Sequence, residues 1–273
     1  MVVRQLFITV LCLPFVHSFV LLHPSSHSMT MMKSSPSDSS SSSPYQQVKG
    51  IIFDIDGTLA DSWKLGFDAT VSVLEKNGIP TITVECYHEH CIYCTPERLA
   101  RHAGLVPGAA NFDKVGAALG KEFDDMYVEL VDTTTAGFYP GMHPILKNVP
   151  SDVALGALTN ACVAYAHAVL KSNDDGDYGL YSRFGSIHGA DSVPTPKPSP
   201  DGLLQVCQDL GLKPEECVYI GDSPSDAGAA AAAGMPSIGV LWGSNGEEKL
   251  RKAPFSQIIQ NIEELETLLP KQR

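Results

Sequence analysis

A chain of 273 residues is long enough for one or two domains, and 44% hydrophobic with 18% charged residues is the composition of a globular protein. The formal net charge of −12 argues against the clustered Lys and Arg of a nucleic-acid footprint. It leaves phosphorylated small molecules open, because one local cation can reverse the field inside a pocket.

In chain order, the first segment reads as a leader. Arg4 is the only charge before Lys33, and "LFITVLCLPFV" is apolar but too short and Pro-broken to span a bilayer comfortably. "VHS" (Val16 to Ser18) supplies small residues at the −3 and −1 positions of a signal-peptidase site, which predicts a signal peptide over 1–18. Residues 19–47 hold 11 Ser, one Lys and one Asp. Such a stretch buries too little apolar surface to fold, and being Ser-rich and acid-poor it reads as transit-like. The pair resembles the bipartite presequences of algae with complex plastids. That implies a plastid protein, with secretion or the endomembrane system as the alternative and no membrane attachment in the mature form.

Beyond residue 47, four short apolar runs read as buried parallel strands: "GIIFD" (50–54), "VALGALT" (153–159), "CVYIGD" (217–222) and "SIGVLW" (237–242). Helical patterns lie between them at 161–172, 199–211 and 225–234. Strand–helix alternation predicts an α/β fold with an open parallel sheet, and ligands in such sheets bind beyond the carboxyl ends of the strands. Residues 66–141 separate the first two strands and read as helical, with Phe112, Val115, Leu119, Phe123, Met126 and Leu130 recurring at a helix period. Some 75 residues is too long for a loop. The expected organisation is a core domain over 48–65 and 142–273 with a helical cap domain over 66–141.

Directly behind the first strand comes "DIDGTLADS" (54–62), with Asp54, Asp56 and Asp61 crowded together. Like charges this close raise each other's pKa, so something positive is needed among them. An EF-hand calcium loop fails, because position 5 is Thr58 and position 12 is Leu65. Further along the chain, "LTN" (158–160) ends the second strand, "PKPSPDGL" (196–203) carries Lys197 ahead of a helix, and "YIGDSPSDAGAAAAAGM" (219–235) sets Asp222 and Asp226 at the end of another strand.

Four motifs in this order, over roughly residues 50–243, resemble the haloacid dehalogenase-type phosphatases. "TPKPSPDGLLQ", "GDSPSDAGAAAAAGM" and "GVLWG" are especially similar to the phosphoglycolate phosphatase branch. The resemblance implies an Mg²⁺-dependent phosphatase with a Rossmann-like core and a helical cap, acting on a small phosphorylated metabolite, with 2-phosphoglycolate preferred. Each residue type suits its part. Asp54 is the nucleophile expected to form an aspartyl-phosphate. Asp56 is the acid/base that protonates the leaving alkoxide and later deprotonates water, and its backbone carbonyl is assigned to the metal by the resemblance. Gly57 lets the backbone approach the phosphoryl group with its N–H exposed. Asp54 and Asp222 are the metal carboxylates. Asp226 is a supporting residue that holds a metal water or orients Lys197, and Lys197 offers positive charge to the phosphoryl oxygens and to Asp54. Thr159 and Asn160 can donate hydrogen bonds to the same oxygens. Asp61 with Ser62 is expected to be a helix cap or hinge rather than a ligand. The alternatives are a sugar-phosphate phosphatase, a β-phosphoglucomutase-like mutase, or a catalytically silent regulator with the same fold. The residues say nothing of oligomeric state.

Substrate choice is expected from the cap. "CTPERLARHAG" (94–104) offers Arg98, Arg101 and His102, either as anion contacts or as a solvated helix face. "CYHEHCIYC" (86–94) holds Cys86, His88, His90, Cys91 and Cys94 without a complete zinc spacing. A metal site, a redox pair at Cys91 and Cys94, and ordinary reduced thiols all stay open there. Cys162, Cys207 and Cys217 read as small core residues. "DDGD" (174–177) reads as a solvated acidic turn.

Overall fold

A computed structural model of the chain describes residues 43–272 apart from 175, 177 and 178. The leader reading therefore falls mostly outside the described residues, as does part of the acidic turn at 174–177. The expected boundary at residue 47 moves. Pro44–Gln47 form a 3₁₀ turn capped by the Ser43 hydroxyl, and Tyr45 is buried in the core at 5% exposure. The buried Tyr45 ring anchors this turn to the core.

The sheet has six strands, all parallel, in the order β3-β2-β1-β4-β5-β6. They are β1 (Gly50–Phe53), β2 (Ala154–Leu158), β3 (Phe184–His188), β4 (Cys217–Gly221), β5 (Ser237–Val240) and β6 (Gln257–Ile259). β1 is buried along its whole length because both faces are covered, which is why it reads as a continuous apolar run. Ile51 and Phe53 point into the larger core with Val218 and Ile220, while Ile52 and Tyr219 point into the second. That alternation is the two-residue period of a strand.

Four helices make up the helical insertion after β1: α1 (Trp63–Lys76), α2 (Val84–His90), α3 (Thr95–His102) and α4 (Phe112–Glu129). Phe112, Leu119 and Phe123 of the expected α4 stripe are buried, but Leu130 is 46% exposed and the buried face continues through Tyr127. The rest follow as α5 (Met142–Asn148), α6 (Val163–Ser172), α7 (Leu180–Arg183), α8 (Asp201–Leu210), α9 (Pro224–Ala233), α10 (Glu247–Lys252) and α11 (Ile262–Leu268). α9 buries Ala227, Ala229 and Ala230 completely, so its small side chains bring the helix close to the sheet. Among the described residues no helix is long and apolar enough to cross a membrane. Strand order reverses on the two sides of β1, and a crevice opens there at the carboxyl ends of the strands.

Candidate active site

β1 ends at Phe53, and the next residue is Asp54, whose backbone N–H still donates to Ile220 O at 2.8 Å. The strand thus delivers the Asp54 carboxyl to the sheet edge, buried at 6% exposure. Lys197 arrives from the loop before α8 and is equally buried. Its ammonium lies 2.7 Å from Asp54 Oδ1 and 2.7 Å from Asp226 Oδ1, and it donates to Tyr219 Oη at 3.0 Å and Leu158 O at 3.3 Å. Burial opposes the charge on Lys197, but Asp226 and Asp54 outweigh it and raise the pKa.

Asp226 is fully buried in the first turn of α9. Its Oδ2 accepts from Ser223 N at 2.9 Å and from Ser223 Oγ at 2.8 Å, the reciprocal arrangement of a capping box. Oδ1 holds Lys197 and accepts from Tyr219 Oη at 2.9 Å. Of the two expectations for Asp226, orienting Lys197 is the contact seen. Asp222 follows β4 directly, and its Oδ2 accepts the Ser244 backbone N–H at 2.7 Å.

Gly57 has φ +77°, and a Cβ there would collide with the Asp222 carboxylate, as would one at Gly243. These two glycines let the backbone close on Asp222 from both sides. The expectation of an exposed Gly57 N–H is corrected: it donates to Ala60 O at 3.0 Å, because the positive φ folds the segment into a tight turn.

Asp54, Asp222 and Asp226 each offer a carboxylate oxygen within 4.8 Å of the others. Burial and then Asp226 raise the pKa of Asp54, with Lys197 only partly offsetting them. Burial and then Asp226 push Asp222 up to about 7. One ammonium among three buried carboxylates leaves excess negative charge, and hard oxygen donors of this kind suit Mg²⁺. The Asp56 carboxylate is not in this group, which fits the assignment of only its backbone carbonyl to the metal.

Four hydroxyls surround the Asp56 side chain. Ser62 Oγ at 2.6 Å, Tyr165 Oη at 2.6 Å and Tyr127 Oη at 2.9 Å donate to Oδ1, and Thr159 Oγ1 at 3.0 Å donates to Oδ2. The Tyr127 and Tyr165 rings stack with centroids 3.9 Å apart. Ser62 is the N-cap residue of α1 but makes no cap hydrogen bond, since its hydroxyl is committed to Asp56. Asp61 is exposed and lies outside the helix and the site.

Two expectations about the phosphoryl pocket change. The Thr159 hydroxyl is spent on Asp56 and on accepting the Ala161 N–H. The Asn160 side chain clamps the Lys197 backbone, with Nδ2 donating to Lys197 O at 3.1 Å and Oδ1 accepting Lys197 N–H at 3.0 Å. Asn160 therefore positions the loop that carries Lys197 instead of presenting its amide to a ligand.

A cavity of about 90 Å³ is lined by Asp54, Asp56, Gly57, Thr159, Asn160, Lys197 and Asp222 together with residues of the helical insertion, among them Tyr87, Arg98 and Tyr127. Arg98 is no solvated face: it is 7% exposed. Its guanidinium donates to Thr70 Oγ1 at 3.3 Å and lies 4.5 Å from the Phe123 ring centroid and 5.2 Å from that of Tyr87. Among the described residues it forms no ion pair, though Asp124 and Asp56 feel its charge through space. Arg101, by contrast, pairs with Glu97 at 2.6 Å. Tyr127, Tyr165 and Tyr219 escaped the sequence reading, and Ser62, expected as a cap or hinge residue, is instead a partner of Asp56. The available signal was a tyrosine on an apolar helix stripe, whose hydroxyl needs a partner once buried.

The family described as haloacid dehalogenase-like hydrolase matches residues 51–240. A phosphoglycolate phosphatase of Chromobacterium violaceum is 32% identical over 212 residues, covering 72% of this chain and 87% of its own length. One of Shigella dysenteriae is 29% identical over 239 residues, covering 81% and 92%. Among solved structures, a haloacid dehalogenase-like hydrolase from Bacteroides fragilis superposes with a TM-score of 0.68 at 26% identity, covering 80% of this chain and 99% of its own. CbbY from Rhodobacter sphaeroides, solved with phosphate, shares the fold at a TM-score of 0.65 and 23% identity, with 78% and 93% covered.

Proposed function

The chain belongs to the haloacid dehalogenase-like hydrolases and is a phosphatase, and from that premise we propose that it hydrolyses 2-phosphoglycolate through an aspartyl-phosphate on Asp54. The observation that carries the substrate is Arg98, a buried guanidinium without an ion pair, lining the same cavity as Asp54 and Lys197. A buried cation of this kind is costly unless an anion meets it. A phosphoryl group beside Lys197 and a carboxylate beside Arg98 answer both charges, and Arg is suited to bidentate carboxylate recognition. The phosphoglycolate phosphatases among the relatives support the same reading.

In the proposed reaction Asp54 Oδ attacks phosphorus in line with the ester oxygen while Asp56 gives that oxygen its proton. Asp56 then takes a proton from water, the water attacks the aspartyl-phosphate, and Asp54 is regenerated as inorganic phosphate leaves. Lys197 balances the charge spread over the phosphoryl oxygens. Asp54, Asp222 and the backbone carbonyl of Asp56 would hold Mg²⁺, which would supply the remaining charge neutralisation. The leader composition further supports delivery to a plastid; a mature N-terminus near residue 43 in cell extract is expected, and an intact Met1 would refute it.

The test is kcat/KM with Mg²⁺ and with EDTA, on 2-phosphoglycolate, ethyl phosphate, glycerol 3-phosphate and glucose 1-phosphate. We expect at least about a hundredfold preference for 2-phosphoglycolate, or roughly 2.7 kcal/mol. Arg98→Met should erase the preference while ethyl phosphate is still hydrolysed. A flat or sugar-biased profile would keep the chemistry and discard the substrate, and an isomer in place of free phosphate would mark a mutase.

A further inference from the structure

The geometry points to a second metal site, remote in chemistry from the carboxylate cluster: a Zn²⁺-class ion bound by Cys86, His90 and His102 and clasping α2 to α3. Cys86 and His90 are four residues apart on α2, so both project from one helix face. His102 ends α3 and turns back to meet them. The three residues each offer a ligand atom within 4.8 Å of the others. Cys86 Sγ is 4.0 Å from His102 Nδ1, and the His90 and His102 rings sit with centroids 4.9 Å apart.

The groups are poorly satisfied as they stand. His90 Nδ1 and His102 Nε2 are buried without a hydrogen-bond partner. A buried polar atom left unmade costs about 1–3 kcal/mol. The bulk of His102 is buried at 5% exposure. All six described cysteines are free thiols, so no disulfide occupies Cys86.

One thiolate and two imidazoles form a soft-to-borderline donor set, which selects Zn²⁺ or Co²⁺ over Mg²⁺. With Zn–S near 2.3 Å and Zn–N near 2.0–2.1 Å, tetrahedral ligand atoms lie roughly 3.5 Å apart. The observed spacing needs a closure of about 1 Å, and the half-buried Cys86 and His90 side chains can supply it. On binding, the Cys86 thiol loses its proton to solvent as the metal–sulfur bond forms, and water takes the fourth position. The clasp would brace the two helices that present Tyr87 and Arg98 to the cavity. Neither complete zinc spacing is visible in the sequence, because the third ligand comes from the next helix.

The test uses the full chain, freed of metal under reducing conditions and titrated with Co²⁺. Expected is a thiolate-to-cobalt charge-transfer band that saturates at one equivalent, is displaced by one equivalent of Zn²⁺, and persists in Asp54→Asn and Cys94→Ser. Cys86→Ser should abolish it and His90→Gln should weaken Co²⁺ binding at least tenfold. A folded wild-type chain with no such band, or a band that survives Cys86→Ser, overturns the site. The carboxylate cluster cannot give a thiolate band, so the result stands apart from the phosphatase reading.

Discussion

At the scale of single residues, the site separates two aspartates that the sequence sets two positions apart. Asp54 meets an ammonium, whereas Asp56 meets only neutral hydroxyls that donate hydrogen bonds to it. Asp54→Asn keeps an acceptor for Lys197, and Asp226 still holds that lysine, so the fold should survive with Tm within a few degrees. In the proposed mechanism this removes the nucleophile, so kcat should fall at least about a thousandfold; near-wild-type turnover in that variant would remove Asp54 from its proposed role. Tyr165 makes a weaker but more telling case. Its hydroxyl contributes one of three hydrogen bonds to Asp56 Oδ1. A hydrogen bond to a charged group is worth about 1.5–3 kcal/mol, so Tyr165→Phe should lower kcat roughly ten- to a hundredfold with KM little changed. A change confined to KM would mean that Tyr165 contacts substrate instead of steadying Asp56.

At the scale of elements, what was legible followed burial. β1, β2, β4 and β5 are covered on both faces and read as apolar runs. β3 and β6 are the two edge strands, and their sequences "FGSIH" and "QII" are short or interrupted by Gly and Ser, with several residues of each only partly buried. Edge strands are half-solvated and carry little apolar signal. α2 was hidden similarly, its seven residues "VECYHEH" being dominated by Cys and His rather than by a stripe. The aspartates of the candidate site are legible because they follow strand ends in a fixed order; the tyrosines around Asp56 are not, since their meeting depends on how α4 and α6 pack. That same packing strands Asp124 of α4. Its Oδ1 is buried without a partner, and burial pushes its pKa up to about 6 despite Arg98 nearby. A carboxyl raised from 3.8 in the unfolded chain to about 6 in the fold carries no penalty below pH 4. The penalty grows between pH 4 and 6 and is fully present above that. At 1.36 kcal/mol per unit the upper limit is about 3 kcal/mol, reduced by the solvent that Asp124 still meets. Asp124→Asn should therefore stabilise the protein at pH 8 and change little at pH 4. Denaturant titrations at the two pH values check this, and an equal effect at both would show that folding does not raise the pKa of Asp124.

At the scale of the molecule, the ends of the described chain are fastened to each other. Gln46 Nε2 donates to the backbone oxygens of Thr267, Leu268 and Leu269 at 2.8–3.2 Å, which satisfies carbonyls that the end of α11 would otherwise leave unpaired. Gln272 N–H donates to Asn148 O at 2.8 Å, and Tyr45 fills the core beside these contacts. The turn at 44–47 thus belongs to the folded unit although it directly follows the Ser-rich run. Losing a buried aromatic ring costs about 3–5 kcal/mol, and the exposed flank of this turn puts Tyr45→Ala at the lower end. In a unit of this size each kcal/mol moves Tm by about 2–4 °C. A chain beginning at Val48 should accordingly melt about 6–12 °C below one beginning at Ser43, with the same kcat at temperatures where both are folded, because no residue of the turn lines the cavity. Equal melting temperatures would show that Tyr45 contributes no net stability; a lower kcat at matched folding would show that the turn reaches the site through the core.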